Sequence, residues 1–510
     1  KSMKARKHQV EANFEISQNS EGIIHLPTGT GKSFIQAMSI NDNLSSIRVF
    51  VVLAPRILLT NQLYNDIKKY LVVNNNDCQY LIVHSGKAAD KTDFKWVDLP
   101  YREVNSTTSS VVIREQYERT QRENVPLVIF GTYDSAERIT QSGIPVYMLL
   151  CDEAHYLVSE EFSWIRYEKY TDGRKQFNAE RKYYFTATLK NTTSDYGLGM
   201  NNSDEFGNII YTKTPLDMIV AGEILRPRLH LVDVNGYSMT DELDIDAHSI
   251  IESYIEHRIH CKVGAKILVV TKGTEHLNNL VNHPRILEEL DTRPNLQIFD
   301  ISSEYKPRIN GIVVSREEFL RRLQGLTDAD DALIFHVRIL TEGIDVPGIT
   351  GVLIMNQLSL SVFLQTTGRA TRLHVTDRKK LYAGQLTSDT SDLSRYVKPY
   401  AWIIVPIYGI IGDDMKDRIR DIIYALRSFG FNAAEDCVIK QSRGKALSVP
   451  IGQLNELDTR GQMYKQIIYD IEHDVETREV ADKMMIDDFK LSLNIRAEDI
   501  DTNITNLVGL

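Results

Sequence analysis

Two tandem α/β domains, each a mostly parallel sheet covered by helices, are what this sequence predicts, with a small, mainly helical C-terminal domain after them. Three observations lead there. Short apolar runs alternate with helical patterns over the first two hundred residues, and the alternation restarts at Lys266. A glycine-rich turn ending in a lysine lies between the first such run and a helical pattern. A third run, 146–151, stops abruptly at two adjacent acids, Asp152 and Glu153. Buried strands of open α/β sheets deliver acids to the carboxyl edge in this way. Taken alone, the two acids fit a strand end with a charged turn equally well.

Length and composition bound the answer. A chain of 510 residues exceeds one ordinary core, and 42% apolar with 25% charged residues is globular composition. No apolar run approaches the roughly 18 residues of a spanning helix, so no membrane partner is expected. The opening Lys1-Ser-Met-Lys-Ala-Arg6 lacks a signal-peptide pattern. Four scattered cysteines without C-x-x-C spacing suggest neither a zinc site nor a disulfide framework, and fit a reducing cytoplasm. A formal charge of −10 argues against nonspecific coating of nucleic acid, but leaves room for a local basic groove. From position 411 on, 13 Lys+Arg stand against 19 Asp+Glu, so the tail is not expected to grip a phosphate backbone.

In chain order, a strand-like run at 22–26 precedes Pro27-Thr-Gly-Thr-Gly-Lys-Ser33, and a helical pattern follows. Strand, glycine turn and helix is the context of a phosphate-binding loop, in which backbone N–H groups face the phosphates. Lys32 would pair with the β/γ-phosphates and Ser33 would hold Mg²⁺. The strict loop pattern is not met, because Leu26 stands at its first glycine. Further strands are expected at 49–53, 80–83, 127–130 and 183–185, and the polar stretch 86–124 reads as a surface insertion with a helix near 114–123. The first domain spans 1–222. The second, 223–411, has strands at 266–270, 296–299, 332–336, 351–354 and 402–405, and no lysine loop of its own. From 412 to 510 the pattern is helical, with apolar stripes Met415, Ile419, Ile422, Ile423, Leu426 and Tyr464, Ile467, Ile468, Ile471, Val475 that read as core contacts.

With these residues in place the chain resembles a superfamily 2 helicase or translocase ATPase. Thr28-Gly29-Thr30-Gly31-Lys32-Ser33 matches motif I, Ala-Pro-Arg56 motif Ia, and Gly-Thr132-Tyr motif Ib. Asp152-Glu153-Ala-His155 matches motif II, Thr186-Ala-Thr188 motif III, and Val-Val-Thr271-Lys272 weakly motif IV. Thr341-Glu-Gly343-Ile-Asp345-Val-Pro matches motif V, and Gln365 with Gly368, Arg369 and Arg372 matches motif VI. Each motif alone is modest; their joint order over roughly 400 residues is specific.

The resemblance implies two RecA-like domains, ATP and Mg²⁺. Gln9, with Thr28, Gly29, Thr30, Gly31, Lys32 and Ser33, would bind nucleotide. Asp152 and Ser33 would hold the metal and Glu153 would polarise the attacking water. Arg369 and Arg372 would act as arginine fingers. Gly343 and Asp345 would join the nucleotide to the strand-binding face, and His155, Thr186, Thr188 and Gln365 would couple the two. His155 could equally be a satisfied buried histidine. Nucleic acid, most simply duplex or branched DNA, would meet Arg56, Thr132, Thr271, Lys272 and Thr341 at strand ends.

The Asp-Glu-Ala-His box, motif V and the connector Phe206-Gly…Tyr211…Leu216…Gly222 are similar to the group holding motors of type I and III restriction enzymes and phage branch-migration helicases. Motif VI is nearer the generic Gln-x-x-Gly-Arg-x-x-Arg form than the type I subunits. The reading is an ATP-dependent DNA helicase or double-strand translocase; the alternatives are an RNA helicase, or an ATP-gated nucleic-acid clamp with a partner nuclease.

Overall fold

The structure, a computed structural model, describes residues 4–84, 105–159, 161–166, 177–191, 199–234, 238–302, 304–337, 346–358, 360–408, 412–440, 448–450 and 463–475. These fall into two compact units, one reaching to Lys213 and the other starting at Thr214.

The first unit holds eight strands: β1 (Glu21–His25), β2 (Val49–Ala54), β3 (Gln79–Val83), β4 (Asn105–Thr107), β5 (Leu127–Thr132), β6 (Met148–Cys151), β7 (Arg181–Thr186) and β8 (Ile209–Thr212). They lie in the order β4-β3-β5-β2-β6-β7-β1-β8, and every pairing is parallel. Its main helices are α1 (Lys7–Gln18), α2 (Lys32–Asp42), α3 (Ile57–Val73), α4 (Ser110–Glu123), α5 (Ala136–Gln141) and α6 (Ser203–Phe206). The continuous apolar runs are explained by burial on both faces. Along β2, Val49, Val51 and Leu53 enter one core cluster while Phe50, Val52 and Ala54 enter the other. Each such aliphatic side chain contributes about 1.5–3 kcal/mol on burial.

The stretch expected to be a surface insertion is built into this fold where it is described. β4 pairs with β3 at the sheet's end, and α4 presses Ile113 into the core. Polar letters on the outer face of α4 hide that single inward stripe.

The second unit opens with α7 (Pro215–Val220), then β9 (Pro227–Asp233), α8 (Glu242–His260), β10 (Lys266–Val270), α9 (Thr274–Val281), α10 (Pro284–Thr292), β11 (Leu296–Ile301), a hairpin of β12 (Arg308–Ile309) and β13 (Ile312–Val313), and α11 (Arg316–Gln324). There follow β14 (Asp331–His336), β15 (Gly351–Ile354), α12 (Leu360–Ala370), α13 (Val375–Tyr382), β16 (Ala401–Ile407), α14 (Asp413–Leu426), α15 (Ala433–Asp436), β17 (Cys437–Lys440) and β18 (Ser448–Pro450). The sheet order is β13-β12-β11-β14-β10-β15-β16-β9-β17-β18. It is parallel except in the β11-β12-β13 hairpin region and at β17-β18.

The expected boundaries shift. The division falls at 213/214 rather than 222/223. Residues 412 onward are helical in α14, α15 and a helix over 463–475, whose Tyr464, Ile468, Ile471 and Val475 are buried. They do not form a separate domain, however: β17 pairs in parallel with β9, inside the second sheet. β9 itself was not legible because Pro227, Arg228 and His230 break its apolar run. No described helix is long and apolar enough to cross a membrane.

Buried histidines give both units a pH signature. Burial lowers the His25 pKa to about 4, with the Ala187 carbonyl opposing and Lys32 adding to the shift. Burial also lowers His257 to about 3, and His336 to about 3. A depressed folded pKa means the unfolded chain binds the proton first. The stability these neutral rings contribute is complete above about pH 6.5 and is lost as pH falls toward the folded values. Between pH 7 and pH 5 each ring should cost about 2 kcal/mol. Urea midpoints across that range should fall on acidification, and less steeply in His257→Gln; an unchanged slope in that variant would contradict the assignment.

Candidate functional site

In the first unit β1 ends at His25, and Leu26 N extends its pairing to Thr186 O at 3.1 Å. The chain then turns through Gly29 (φ +86°) and Gly31 (φ +81°), left-handed positions that glycine takes without a Cβ penalty. Thr30, buried, donates its hydroxyl to Pro27 O at 2.7 Å and closes the loop. Gly31 is the N-cap of α2, and no side chain caps that helix, so its dipole faces the loop. Lys32 Nζ turns back onto Leu26 O (3.1 Å) and Pro27 O (3.4 Å). Ser33 Oγ donates to Asp66 Oδ2 on α3 at 3.2 Å.

The acids lie two strands from the loop, with β7 between them: the order β6-β7-β1 sets Cys151 beside Tyr184 and His25 beside Thr186. Asp152 is buried and accepts from Gln36 Nε2 at 2.9 Å. Burial, and then the charge of Glu153, raise its carboxyl above the ordinary aspartate range; Lys32 and the Gln36 hydrogen bond oppose this. A cation held there would relieve the same charge, so Asp152 and the Ser33 hydroxyl fit a magnesium ion as oxygen donors. Glu153 sits at φ +49°, a left-handed turn unusual for a side chain of its size. That turn is held by Asp152 N to Leu53 O (2.8 Å), by Tyr156 N to Glu153 O (3.1 Å), and by the Tyr133 hydroxyl donating to Asp152 O.

From Glu153 a polar chain leads to the end of β7. His155 Nδ1 lies 3.5 Å from Glu153 Oε2 and 3.1 Å from Thr186 Oγ1. Thr186 Oγ1 donates to Thr188 O (2.8 Å) and accepts from Thr188 N (3.0 Å). Burial lowers the His155 pKa against the pull of Glu153, so the ring is neutral at pH 7. The buried His155 ring thus lies between the Glu153 carboxylate and the Thr186 hydroxyl.

Gln9 is not turned to solvent. Its amide accepts from Arg6 N (2.9 Å) and donates to Thr30 O (3.2 Å) and Gly31 O (3.3 Å), while His8 Nε2 meets Thr30 O at 2.8 Å. The start of α1 thus holds the glycine loop in shape. Thr28 and Gly29 complete the loop, half-buried. Gln36, His8 and Tyr133 were missed from sequence. Gln36 alone had a signal, one helical turn beyond Lys32 on the same face.

Strand-end residues expected to meet nucleic acid have mixed surroundings. Arg56 is exposed and hydrogen-bonds the Tyr156 side chain. Thr132, buried beside it in register with Ala54, exchanges a hydrogen bond with Ser135 Oγ at 2.8 Å. In the second unit Thr271 is buried and donates to His336 O at 3.3 Å. Lys272 Nζ is taken up by Glu242 (2.6 Å) and Asp246 (2.8 Å), and His276 shares Asp246 at 2.8 Å. For Lys272 to hold a phosphate it would have to exchange those carboxylates. Gln365 and Arg369 are buried one turn apart on α12, Arg369 near enough to His336 to depress it further. Arg372 lies just past the helix, bridged to Ile224. Thr341, Gly343 and Asp345 lie outside the described residues.

Residues 2–191 match the family model "Type III restriction enzyme, res subunit". No curated protein matches the chain by sequence. Among solved structures, the ATP-dependent Type ISP restriction-modification enzyme LlaBIII bound to DNA aligns with a TM-score of 0.63 at 16% identity, covering 92% of this chain and 33% of that one. A nuclease-deletion mutant of the Type ISP enzyme LlaGI, in complex with a DNA substrate mimic, aligns at 0.55 and 16% identity, covering 99% and 36%. The DUF1998 helicase MrfA bound to DNA aligns at 0.50 and 13% identity, covering 85% and 49%. This chain therefore spans about a third of the length of the two restriction enzymes. It resembles the superfamily 2 motors of restriction enzymes, and its two sheets are of the tandem RecA-like kind.

A Cβ on Gly31 would stand 2.5 Å from Gln9 Nε2 at a φ of +81°. Gly31→Ala should cost about 1–2 kcal/mol in urea denaturation, from backbone strain and the displaced amide together. Adding Gln9→Ala should recover part of that loss; no recovery would show that the collision is not what destabilises the variant.

Proposed function

We propose that this chain is a nucleic-acid-stimulated ATPase that moves along or opens duplex or branched DNA. The observation that carries the reading is the juxtaposition in the first unit: a lysine loop and an acid pair, its Asp152 buried, on either side of the strand whose Thr186 meets the histidine of the acid box. Phosphoryl transfer asks mainly for positioning and charge stabilisation, and this constellation supplies both kinds of group.

Lys32 would leave its two backbone carbonyls for the β/γ-phosphates, so the loop is preorganised around an amine already in place. Bound magnesium would supply Lewis-acid neutralisation of the phosphate oxygens, held by Ser33 and Asp152. Glu153 would orient the attacking water and draw its proton. Arg369 and Arg372 of the second unit would stabilise charge developing on the transferred phosphoryl group, as guanidinium forks suit. A change at Glu153 would pass through His155 and Thr186 to the strand end carrying Thr188. Arg56 and Thr132, on neighbouring strands, are the first unit's grip on a phosphate backbone, and Thr271 and Lys272 that of the second. DNA is favoured as the polymer because LlaBIII and MrfA are bound to DNA, and LlaGI to a DNA substrate mimic, in the structures that align. A partner nuclease belongs to the reading because the aligned LlaGI structure is a nuclease-deletion mutant of a restriction-modification enzyme.

Lys32→Ala and Glu153→Gln should each reduce ATP hydrolysis by about a hundredfold or more with an unchanged urea midpoint; robust turnover in either would overturn the site. Hydrolysis measured with no polymer, single strands, duplex, forked DNA and RNA should be stimulated most by duplex or forked DNA. Stimulation by RNA alone would sink the DNA reading. Displacement of a triplex strand without fork unwinding would mark a translocase, and the reverse a helicase.

A further inference from the structure

Residues 371–374 join α12 to α13 and carry Arg372. Two distant parts of the second unit grip this short loop. On one side Leu225 N donates to Thr371 O at 2.7 Å, and Ile224 forms an antiparallel bridge with Arg372. On the other side stands Lys398, only 5% exposed, whose Nζ donates to Ala370 O at 2.6 Å and to Arg372 O at 2.9 Å. Lys398 is fixed in turn by Asp377, fully buried in the first turn of α13. Its carboxylate accepts from Val397 N (2.8 Å) and Lys398 N (2.9 Å). The brace closes on itself: α12's last turn, the loop and α13's first turn are all tied to residues 397–398.

Burying an ammonium costs several kcal/mol, and a well-packed apolar side chain of the same length would stabilise the fold at least as well. What an apolar side chain cannot do is bind carbonyls. The last carbonyls of a helix have no partner within it and carry the negative end of its dipole. Lys398 fills that place for α12, the helix that bears Gln365 and Arg369.

We infer that Lys398 is a positioning residue for motif VI: by fixing the end of α12 and the loop after it, its side chain sets where Arg369 and Arg372 point. This rests on the proposed role of those arginines in hydrolysis. The charged and titratable groups around it come from several elements. Asp377 on α13 and Cys261 after α8 favour its charge; Arg372 and Lys266, at the start of β10, oppose it, and His257 on α8 is itself depressed by it. Burial, the largest influence, brings the Lys398 pKa down to about 7.

The test is steady-state ATP hydrolysis by the full chain with duplex DNA, for Lys398→Met, Arg372→Ala and the double variant. Lys398→Met should lower kcat about tenfold while the KM for ATP stays within about threefold, and the double variant should be no slower than Arg372→Ala alone. A merely structural lysine would give additive losses, which would overturn the proposal, as would wild-type kcat in Lys398→Met. If Lys398→Met does not fold, Lys398→Gln, which keeps one amide donor, is held to the same criteria. An inactive Arg372→Ala beside a fully active Lys398→Met removes the proposal and leaves the motif VI reading standing. Wild-type hydrolysis in Arg372→Ala removes both.

Discussion

A carboxylate pushed into a protein interior must be met by donors or by a cation, and Asp152 is the point where this chain has to meet that demand. It stands at the end of a strand whose neighbours are all parallel, so the carboxyl edge gathers several strand ends at once. The nearest help comes from Gln36, on the helix that starts at the glycine loop, at 2.9 Å. One hydrogen bond therefore ties α2 to β6 and makes the loop and the acid pair a single object. The left-handed turn at Glu153, the Tyr133 hydroxyl under the Asp152 carbonyl and the His155–Thr186 contact all follow from keeping that buried acid in one place.

The second unit meets a related demand with opposite sign. Lys398 is a buried cation whose amine is satisfied by carbonyls at the end of a helix, and Asp377 is a buried anion satisfied by backbone amides. Backbone dipoles, rather than a direct ion pair, hold both charges. Such an arrangement leaves little conformational freedom, because each partner is part of the chain itself.

Much of this was legible in the letters. The strand runs at 49–53, 267–270 and 351–354 carry no charged or polar side chain, because both faces of each sheet are covered, and the glycine loop and acid pair have fixed chemistry at fixed strand ends. What was not legible depends on contacts made far apart in sequence. Lys398 stands in an unremarkable Val-Lys-Pro-Tyr, and only the folded chain brings its amine to Ala370 and Arg372. β9 was hidden because its proline, arginine and histidine break the apolar run, although His230 is fully buried. The helix at 114–123 was legible, but not the packing of Ile113 of α4 into the core, and the tail after 411 resembles a domain of its own because helical stripes carry no label for what they pack against.

The position of β9 has a consequence for how the chain comes together. Its two neighbours are β16, from 401–407, and β17, from 437–440. The strand that opens the second sheet thus emerges from synthesis long before either partner exists. The intervening strands β10, β11, β14 and β15 pair with one another without it. That end of the sheet is closed late, in part by the stretch of chain that looks from its composition like an afterthought. The tail after 411 is better described as the closing edge of the second domain's birth order than as an attachment to it.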